Sequence, residues 1–246
     1  MILELDCGNS FIKWRVLDMG ADVVVAHGAS ASAVALLEEF SCPVGVNVSR
    51  ARLVSVRGDR ETDEICICLS EALGIEVERA SPAVQLGGVI NGYVDHGRLG
   101  MDRWLAMVGA FQFRRSAMMV IDLGTAVTVD LVDPQGMHLG GYICPGVSLL
   151  RHQLHTHTRR ISYSLPEGDA SQCATAPGRT TAEAVERGCI LMLHGFLSSQ
   201  ILQAEAYLGA SFDIYATGGD AAFISDIPRI KCIPDLVFRG LAIACP

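Results

Sequence analysis

No apolar run in this 246-residue chain approaches the roughly 18–20 residues that a membrane-spanning helix requires. The chain enters a strand directly, without a basic stretch, an apolar core and a small-residue cleavage site, so no signal peptide is expected. A soluble cytoplasmic protein with no membrane partner is the expectation. Positive charge is scarce as well: 19 Lys and Arg stand against 27 Asp and Glu, a net charge of −8. General nucleic-acid binding needs a basic surface, so no nucleic-acid partner is expected, while local arginines can still recruit a small anion. Charged residues make up 19% and hydrophobic residues 50%, which argues against disorder. No Pro-rich or low-complexity linker interrupts the chain, so its parts should pack as one unit with a cleft between them. Cys66-Ile67-Cys68 lacks the second Cys or His pair that a zinc site needs. The nine cysteines are odd in number and scattered, mostly in apolar runs as with Cys189 and Cys232, and are expected to be free buried thiols.

What is present is organised around Met118 to Asp133, where two apolar β-type runs flank a turn of Asp122-Leu123-Gly124-Thr125. Val120-Ile121 and the alternating Val127, Val129 and Leu131 suit a half-buried hairpin. Such a turn exposes a carboxylate that can hold a cation, a hydroxyl, and backbone N–H groups that can cradle phosphate. The same device opens the chain. Met1 to Leu5 runs into Asp6-Cys7-Gly8-Asn9-Ser10 and then into Phe11 to Leu17. One Asp-x-Gly turn is ordinary turn chemistry, with Asp as a cap. Two copies in the same context suggest a duplicated fold whose halves face a nucleotide.

Between the hairpins a third strand is expected over Asp22–His27, a helix from Ser32 to Phe40, short strands at Val44–Val48 and Leu53–Val56, a helix from Glu61 to Leu73 and a strand at Ile75–Glu78. Ala80 to Gly100 is rich in turn residues, and a helix from Met101 to Arg114 leads into the second half. Beyond the central hairpin, Leu139 to Gly146 is glycine-rich and implies close backbone approach. A helix follows over Val147–His157, then a loop from Ile161 to Pro177. Thr180 to Leu208 reads as one long helix or two, with Gly188 and Gly195 as close-packing positions or interruptions. Strands at Phe212–Ala216 and Ile230–Ile233 and a terminal helix at Leu236–Ala244 complete the pattern. The class is α/β, with mixed sheets covered by helices.

Several residues could carry chemistry. Asn9 and Lys13 can add donors to the first turn, although Lys13 also suits a solvent-facing strand position. Gly100-Met101-Asp102-Arg103 puts a carboxylate and a guanidinium at a helix start, where the positive end stabilises an ionised Asp102 and Arg103 can hold a substrate carboxylate bidentately. A surface Arg beside a helix-capping Asp is the plainer alternative. Gly218-Gly219 would admit adenine or ribose against the backbone, or simply make a tight turn. His152, His155 and His157 have a metal-like spacing, but Arg151, Arg159 and Arg160 would repel a cation, so a basic helix end, lid or subunit contact is expected instead.

Taken in order, Asp6-Cys7-Gly8-Asn9-Ser10, Gly100-Met101-Asp102-Arg103, Asp122-Leu123-Gly124-Thr125-Ala126, Gly140-Gly141-Tyr142-Ile143-Cys144-Pro145-Gly146 and Thr217-Gly218-Gly219 resemble the motif set of type III pantothenate kinase. The resemblance implies the actin-like ATPase fold of acetate kinase, sugar kinases, Hsp70 and actin. Two ribonuclease H-like halves, 1–115 and 116–246, would carry duplicated mixed sheets and face a nucleotide cleft. It implies ATP-dependent phosphorylation of pantothenate to 4′-phosphopantothenate, the first step towards coenzyme A, by a homodimer whose pantothenate pocket the neighbouring subunit completes. Carried over, Asp6, Cys7, Gly8, Asn9, Ser10, Phe11, Ile12 and Lys13 would bind ATP phosphates, with Asp6 helping to place Mg²⁺. Thr125, Gly218 and Gly219 would contact ATP. Asp122 would hold a monovalent cation, K⁺ or NH₄⁺. Asp102 would be the base. Tyr93, Gly100, Met101, Asp102, Arg103 and Thr181 would line the pantothenate site. Two departures stand out: Thr180-Thr181 replaces the family's Asn-Thr pair, and Ser10 replaces the commoner Thr. The competing readings are a non-catalytic regulator on the same fold and a kinase of another small hydroxy acid; retention of Asp102 and Asp122 favours the enzyme.

Overall fold

Ile2–Cys7 (β1) is buried at almost every position, as a central strand covered on both faces must be. It pairs antiparallel with Ile12–Asp18 (β2), which pairs antiparallel with Val23–Ser30 (β3). Helix α1 (Ala33–Phe40) precedes β4 (Arg50–Ser55), parallel to β1. Helix α2 (Asp59–Leu73) then leads to β5 (Glu76–Arg79), parallel to β4. Gly74 stops α2 at φ +65°, a left-handed conformation that glycine takes without strain. A small ladder of β6 (Gln85–Leu86) and β7 (Val89–Ile90) and a 3₁₀ turn at His96–Arg98 lead into α3 (Met101–Phe111). These coordinates come from a computed structural model, which describes residues 1–21, 23–40, 47–158 and 176–246.

The second sheet repeats the first. Strands β8 (Met118–Leu123), β9 (Ala126–Val132) and β10 (His138–Pro145) form an antiparallel meander, followed by helices α4 (Val147–His157) and α5 (Thr181–Leu208). Then β11 (Asp213–Thr217) runs parallel to β8, and β12 (Ile230–Cys232) parallel to β11. The orders β3-β2-β1-β4-β5 and β10-β9-β8-β11-β12 are the same topology, so the duplication suggested by two turns extends through whole sheets. Each sheet has its own apolar core: Leu3, Leu5, Ile12, Leu36, Leu53 and Leu69 in one, Met119, Ile121, Val129, Leu197 and Ile214 in the other. Each such buried side chain contributes about 1.5–3 kcal/mol relative to exposure.

The chain divides into one unit of Met1–Arg114 with Asp235–Pro246, and a second of Arg115–Pro234. The sequence division at 115/116 ran to the end of the chain, whereas α6 (Leu236–Ala244) packs on the first unit, against α3. Further differences are local. Helix α3 ends at Phe111 rather than Arg114, and β4 begins at Arg50. Of the strand expected at Val44–Val48, Val44 to Val46 lie outside the described residues, and Asn47 and Val48 have no regular structure. Asp22, Arg159, Arg160 and 161–175 of the expected loop also lie outside. The strand β10 was hidden by its glycines: Gly140, at φ +110°, sits in a bulge opposite β9 and breaks the alternating pattern. Helix α5 is continuous, and Gly188 and Gly195 have open space where a Cβ would stand, so they neither interrupt it nor pack closely. Cys189 is buried as expected, but Cys232 is exposed at the end of edge strand β12.

Candidate active site

In the first unit, Asp6 is the penultimate residue of β1, half-buried, opposite Lys13 of β2 and beside Val54 of β4. Asn9, Ser10, Phe11 and Lys13 are exposed around the turn. Cys7 and Ile12, by contrast, point into the core with no exposed surface, so only their backbone could meet a ligand. Burial, with Asp6 adding to it, pushes the Cys7 thiol up to about 12. The turn is tightened by Gly8 N–H, which donates to Asp6 O at 3.1 Å. It is also held from outside by Arg57, whose Nε donates to Gly8 O at 2.8 Å. Arg57 went unnoticed in the sequence because an Arg between a strand and a helix looks like a solvated charge; its side chain is in fact only 9% exposed.

The second unit presents the matching turn. Asp122 is the penultimate residue of β8, half-buried, opposite Thr128 and beside Thr217 of β11. Gly124 and Thr125 form the turn, with Thr125 exposed. Two neighbouring segments close on it. Gly146, the residue before α4, donates from its N–H to Thr125 O at 2.9 Å, and a Cβ on it would lie 2.1 Å from Gly124 O. This is the close backbone approach that the glycine-rich stretch implied. The Thr217-Gly218-Gly219-Asp220 turn lies on the other side. Gly218 has φ +99°, and a Cβ there would lie 2.2 Å from Leu123 O and 2.6 Å from Asp122 Oδ1. Asp220 N–H donates to Leu123 O at 3.0 Å, stitching the two turns together. The second unit therefore gathers Asp122, Thr125, the N-terminus of α4 and Gly218-Gly219 in one place. Backbone N–H groups at such a helix start favour anions.

The Gly100 to Arg103 motif opens α3. Trp104 N–H donates to Gly100 O at 2.9 Å, and Arg103 N–H donates to Asp102 Oδ1 at 2.7 Å, which fixes the half-buried carboxylate at the positive end of the helix. Arg103 is 5% exposed and its Nη1 donates to the Tyr93 hydroxyl at 2.8 Å. Tyr93 is placed in turn by Asn91, whose Oδ1 accepts from Tyr93 N–H at 3.0 Å. A shallow depression of about 510 Å³ is lined here by Gly92, Tyr93, Val94, Asp95 and Arg98. Asp102, Arg103 and Tyr93 are thus brought together from residues up to ten apart. Thr181 lies in the second unit as the exposed first residue of α5; the cap is made by Thr180, whose hydroxyl accepts from Glu183 N–H at 3.2 Å. Arg179 N–H donates to Glu183 and holds its carboxyl below its ordinary value.

His152, His155 and His157 are exposed along α4, and among the described residues no group of three or more His, Cys, Asp or Glu gathers as a metal site. Arg151 instead pairs with Glu186 and lies 5.5 Å from the Phe223 ring centroid. No helix among the described residues is long and apolar enough to cross a membrane.

Solved structures of similar shape include a Campylobacter jejuni protein described as a Baf family transcriptional activator (TM-score 0.61, 18% identity, covering 98% of this chain and 96% of that one). Porphyromonas gingivalis acetate kinase is similar over 98% of both chains (TM-score 0.55, 11% identity), and MreB 5 of Spiroplasma citri over 98% of this chain and 95% of that one (TM-score 0.51, 10% identity). At these identities they establish the fold, that of the actin-like ATPases. Sequence comparison goes further. The family model for type III pantothenate kinase matches residues 2–203. A type III pantothenate kinase of Pseudomonas paraeruginosa is 54% identical, and one of Pseudomonas fluorescens 52%, each over 100% of this chain and 99% of its own length. With the Asp-x-Gly turns, the Asp102–Arg103–Tyr93 group and matches of this extent, the chain belongs to the type III pantothenate kinase family.

Proposed function

We propose that Asp102 is the base, and Arg103 with Tyr93 the substrate-holding pair, for the family's reaction, phosphorylation of pantothenate by ATP to 4′-phosphopantothenate. The observation that carries the residue assignment is the grouping of these three side chains at the start of α3, with Arg103 oriented by the Tyr93 hydroxyl. Phosphoryl transfer needs positioning and charge neutralisation more than covalent help. In this reading Arg103 binds the pantothenate carboxylate, and Asp102 accepts the proton of the primary hydroxyl as its oxygen bonds to the γ-phosphorus. The bond from that phosphorus to the β–γ bridging oxygen breaks, and ADP leaves. The Asp6–Lys13 turn and Thr125 would bind the phosphates, Gly218-Gly219 would accept the adenosine side, and Thr181 would contact pantothenate.

Asp6 would help hold Mg²⁺ and Asp122 a monovalent cation, K⁺ or NH₄⁺. The residues fit: each carboxylate stands half-buried one residue before the end of its strand, and the Asp122 carboxylate lies against the Gly218 turn, where a Cβ would come within 2.6 Å of its Oδ1. Bound cations supply neutralisation of the phosphate charge.

A homodimer belongs to the same proposal. Support comes from α5, whose exposed positions between residues 188 and 207 carry no charge apart from the part-exposed Glu205, paired with Arg229, and include Leu191 (73% exposed), Met192 (62%), Leu202 (68%) and Tyr207 (65%) beside Gly188 and Gly195. A largely uncharged face of this length suits a second copy of the chain. Light scattering should give about twice the chain mass of 26.3 kDa. A cytoplasmic location is supported by the described cysteines, none of which is in a disulfide.

The deciding experiment is turnover by the purified protein with ATP, Mg²⁺ and K⁺, with and without pantothenate, the product identified by mass. Phosphopantothenate formed only with pantothenate present is the expected result. Folded protein that makes none under varied nucleotides and cations would instead favour a regulator or another hydroxy acid.

A further inference from the structure

We propose that the C-terminal helix α6 is a positioning element for the substrate site and that Gly240 is the residue through which it acts. The inference rests on the reading of Asp102 and Arg103 given above.

The contact between α6 and α3 is backbone against backbone. A Cβ on Gly240 would lie 2.0 Å from Leu105 O and 2.6 Å from Leu105 C. From the other side, a Cβ on Gly109 would lie 2.4 Å from Leu236 O and 3.0 Å from Gly240 N. No flexible side chain stands between the helices at these points, so a displacement of α6 is passed to α3 rather than absorbed. Leu105 lies on the turn of α3 that follows Asp102, and a helix of 11 residues carries such a displacement to its first turn.

The position of α6 is itself set by arginines from the sheet. At its start, Arg15 Nη1 donates to Asp235 Oδ2 at 3.1 Å, and the Arg15 guanidinium lies 4.7 Å from the Phe238 ring centroid. At its end, Arg52 Nη1 donates to Cys245 O at 2.5 Å and Arg50 Nη1 to Pro246 O at 2.6 Å. Arg15 and Arg52 converge on Glu4, which is fully buried: Arg52 Nε donates to Glu4 Oε1 at 2.8 Å, and Arg15 pairs with Glu4 Oε2. Glu4 faces Arg15 and Arg52 in the β1–β2 and β1–β4 registers, two residues before Asp6. A buried ion group demands good geometry from every member, so it holds β1, and with it the first phosphate turn, in register with α6. The strand that ends in one substrate turn is thereby linked through α6 to the helix that begins with the other, all within the first unit.

Gly240→Ala tests this. In the folded variant kcat/KM for pantothenate should fall roughly tenfold or more, from misplacement of Asp102 and Arg103, while KM for ATP stays within about twofold. Partial unfolding alone would lower kcat in proportion to the active fraction and leave both KM values in place. Gly109→Ala should reproduce the pattern from the opposite helix. Should neither glycine variant fold, Asp235→Asn, which removes a charge at the start of α6 and adds no bulk, should raise KM for pantothenate above that for ATP in the same way. Folded variants with wild-type KM for pantothenate and wild-type kcat would overturn the proposal. Its failure is separable from failure of the underlying reading: a wild-type protein that makes no phosphopantothenate, or an Asp102→Asn variant with full turnover, refutes that reading instead.

Discussion

Arg57 reaches from the connection between β4 and α2 to the first Asp-x-Gly turn, donating through Nε to Gly8 O at 2.8 Å while its Nη1 holds Glu61 Oε1 at 2.7 Å. Arg57→Met keeps the aliphatic stem and removes both bonds. A charge-assisted bond of this kind is worth about 1.5–3 kcal/mol, so KM for ATP should rise on the order of tenfold with KM for pantothenate unchanged. Steady-state kinetics decide, and an unaltered ATP KM would rule out a part for Arg57 in nucleotide binding.

Gly218 and its neighbour should differ sharply. Alanine at 218 meets a positive φ and the Leu123 carbonyl oxygen at 2.2 Å, whereas Gly219 has nothing within 4 Å of a Cβ. Strain of about 1–3 kcal/mol, with the steric conflict added, should make Gly218→Ala markedly less stable and weaken nucleotide binding. Gly219→Ala should stay within about 0.5 kcal/mol of wild type in urea unfolding. Equal stabilities would mean that the close approach of the two turns is not maintained in solution.

Asp102→Asn keeps the acceptor oxygen for Arg103 N–H and removes the basic group. Turnover should drop by about 10²–10⁴, the usual worth of a positioned base, with the dissociation constant of a fluorescent nucleotide unchanged. Near-normal turnover would assign the proton elsewhere.

Tyr93→Phe deletes the hydroxyl that accepts from Arg103 at 2.8 Å while leaving the backbone bond to Asn91 intact. KM for pantothenate should rise about tenfold through lost orientation of a buried guanidinium, with kcat little changed. A shorter-chain hydroxy acid kept at wild-type KM would show that Tyr93 acts on pantothenate specifically.

The cysteines should separate by exposure. Burial, with Asp6 adding, pushes Cys7 up to about 12, and burial, with Glu78 adding, pushes Cys245 up to about 11. Both stay protonated near neutral pH and should resist iodoacetamide at pH 8, while the exposed Cys232 is modified before either of them; peptide mass mapping reads the order. Because these folded values exceed the ordinary 9.0, their contribution to stability is complete below pH 9 and is lost as pH rises towards 11–12. Urea midpoints should therefore fall above pH 9.

The two Asp-x-Gly turns and the Gly100 to Arg103 helix start were legible because their chemistry is local: turn residues between alternating runs, and a charge pair beside a helix origin. Whole-sheet duplication was only implied, since the parallel pairings of β1 with β4 and β8 with β11 join strands far apart in the chain. Glycine misled in both directions. Gly109 and Gly240 look unremarkable in sequence, yet they are the points where two helix backbones touch, while Gly188 and Gly195, which look like packing positions, face open space. Asn91 and Arg57 were missed because a turn amide and a loop arginine acquire meaning only from what they contact.

The placement of Asp235–Pro246 with Met1–Arg114 makes the first unit discontinuous in the chain, with the second inserted into it. During synthesis the inserted unit is complete when Pro234 has emerged, whereas the first still lacks the helix against which α3 packs. The second unit can therefore mature ahead of the first despite following most of it in sequence. Until Asp235–Pro246 have been added, the face of α3 that α6 covers stays open on the growing polypeptide.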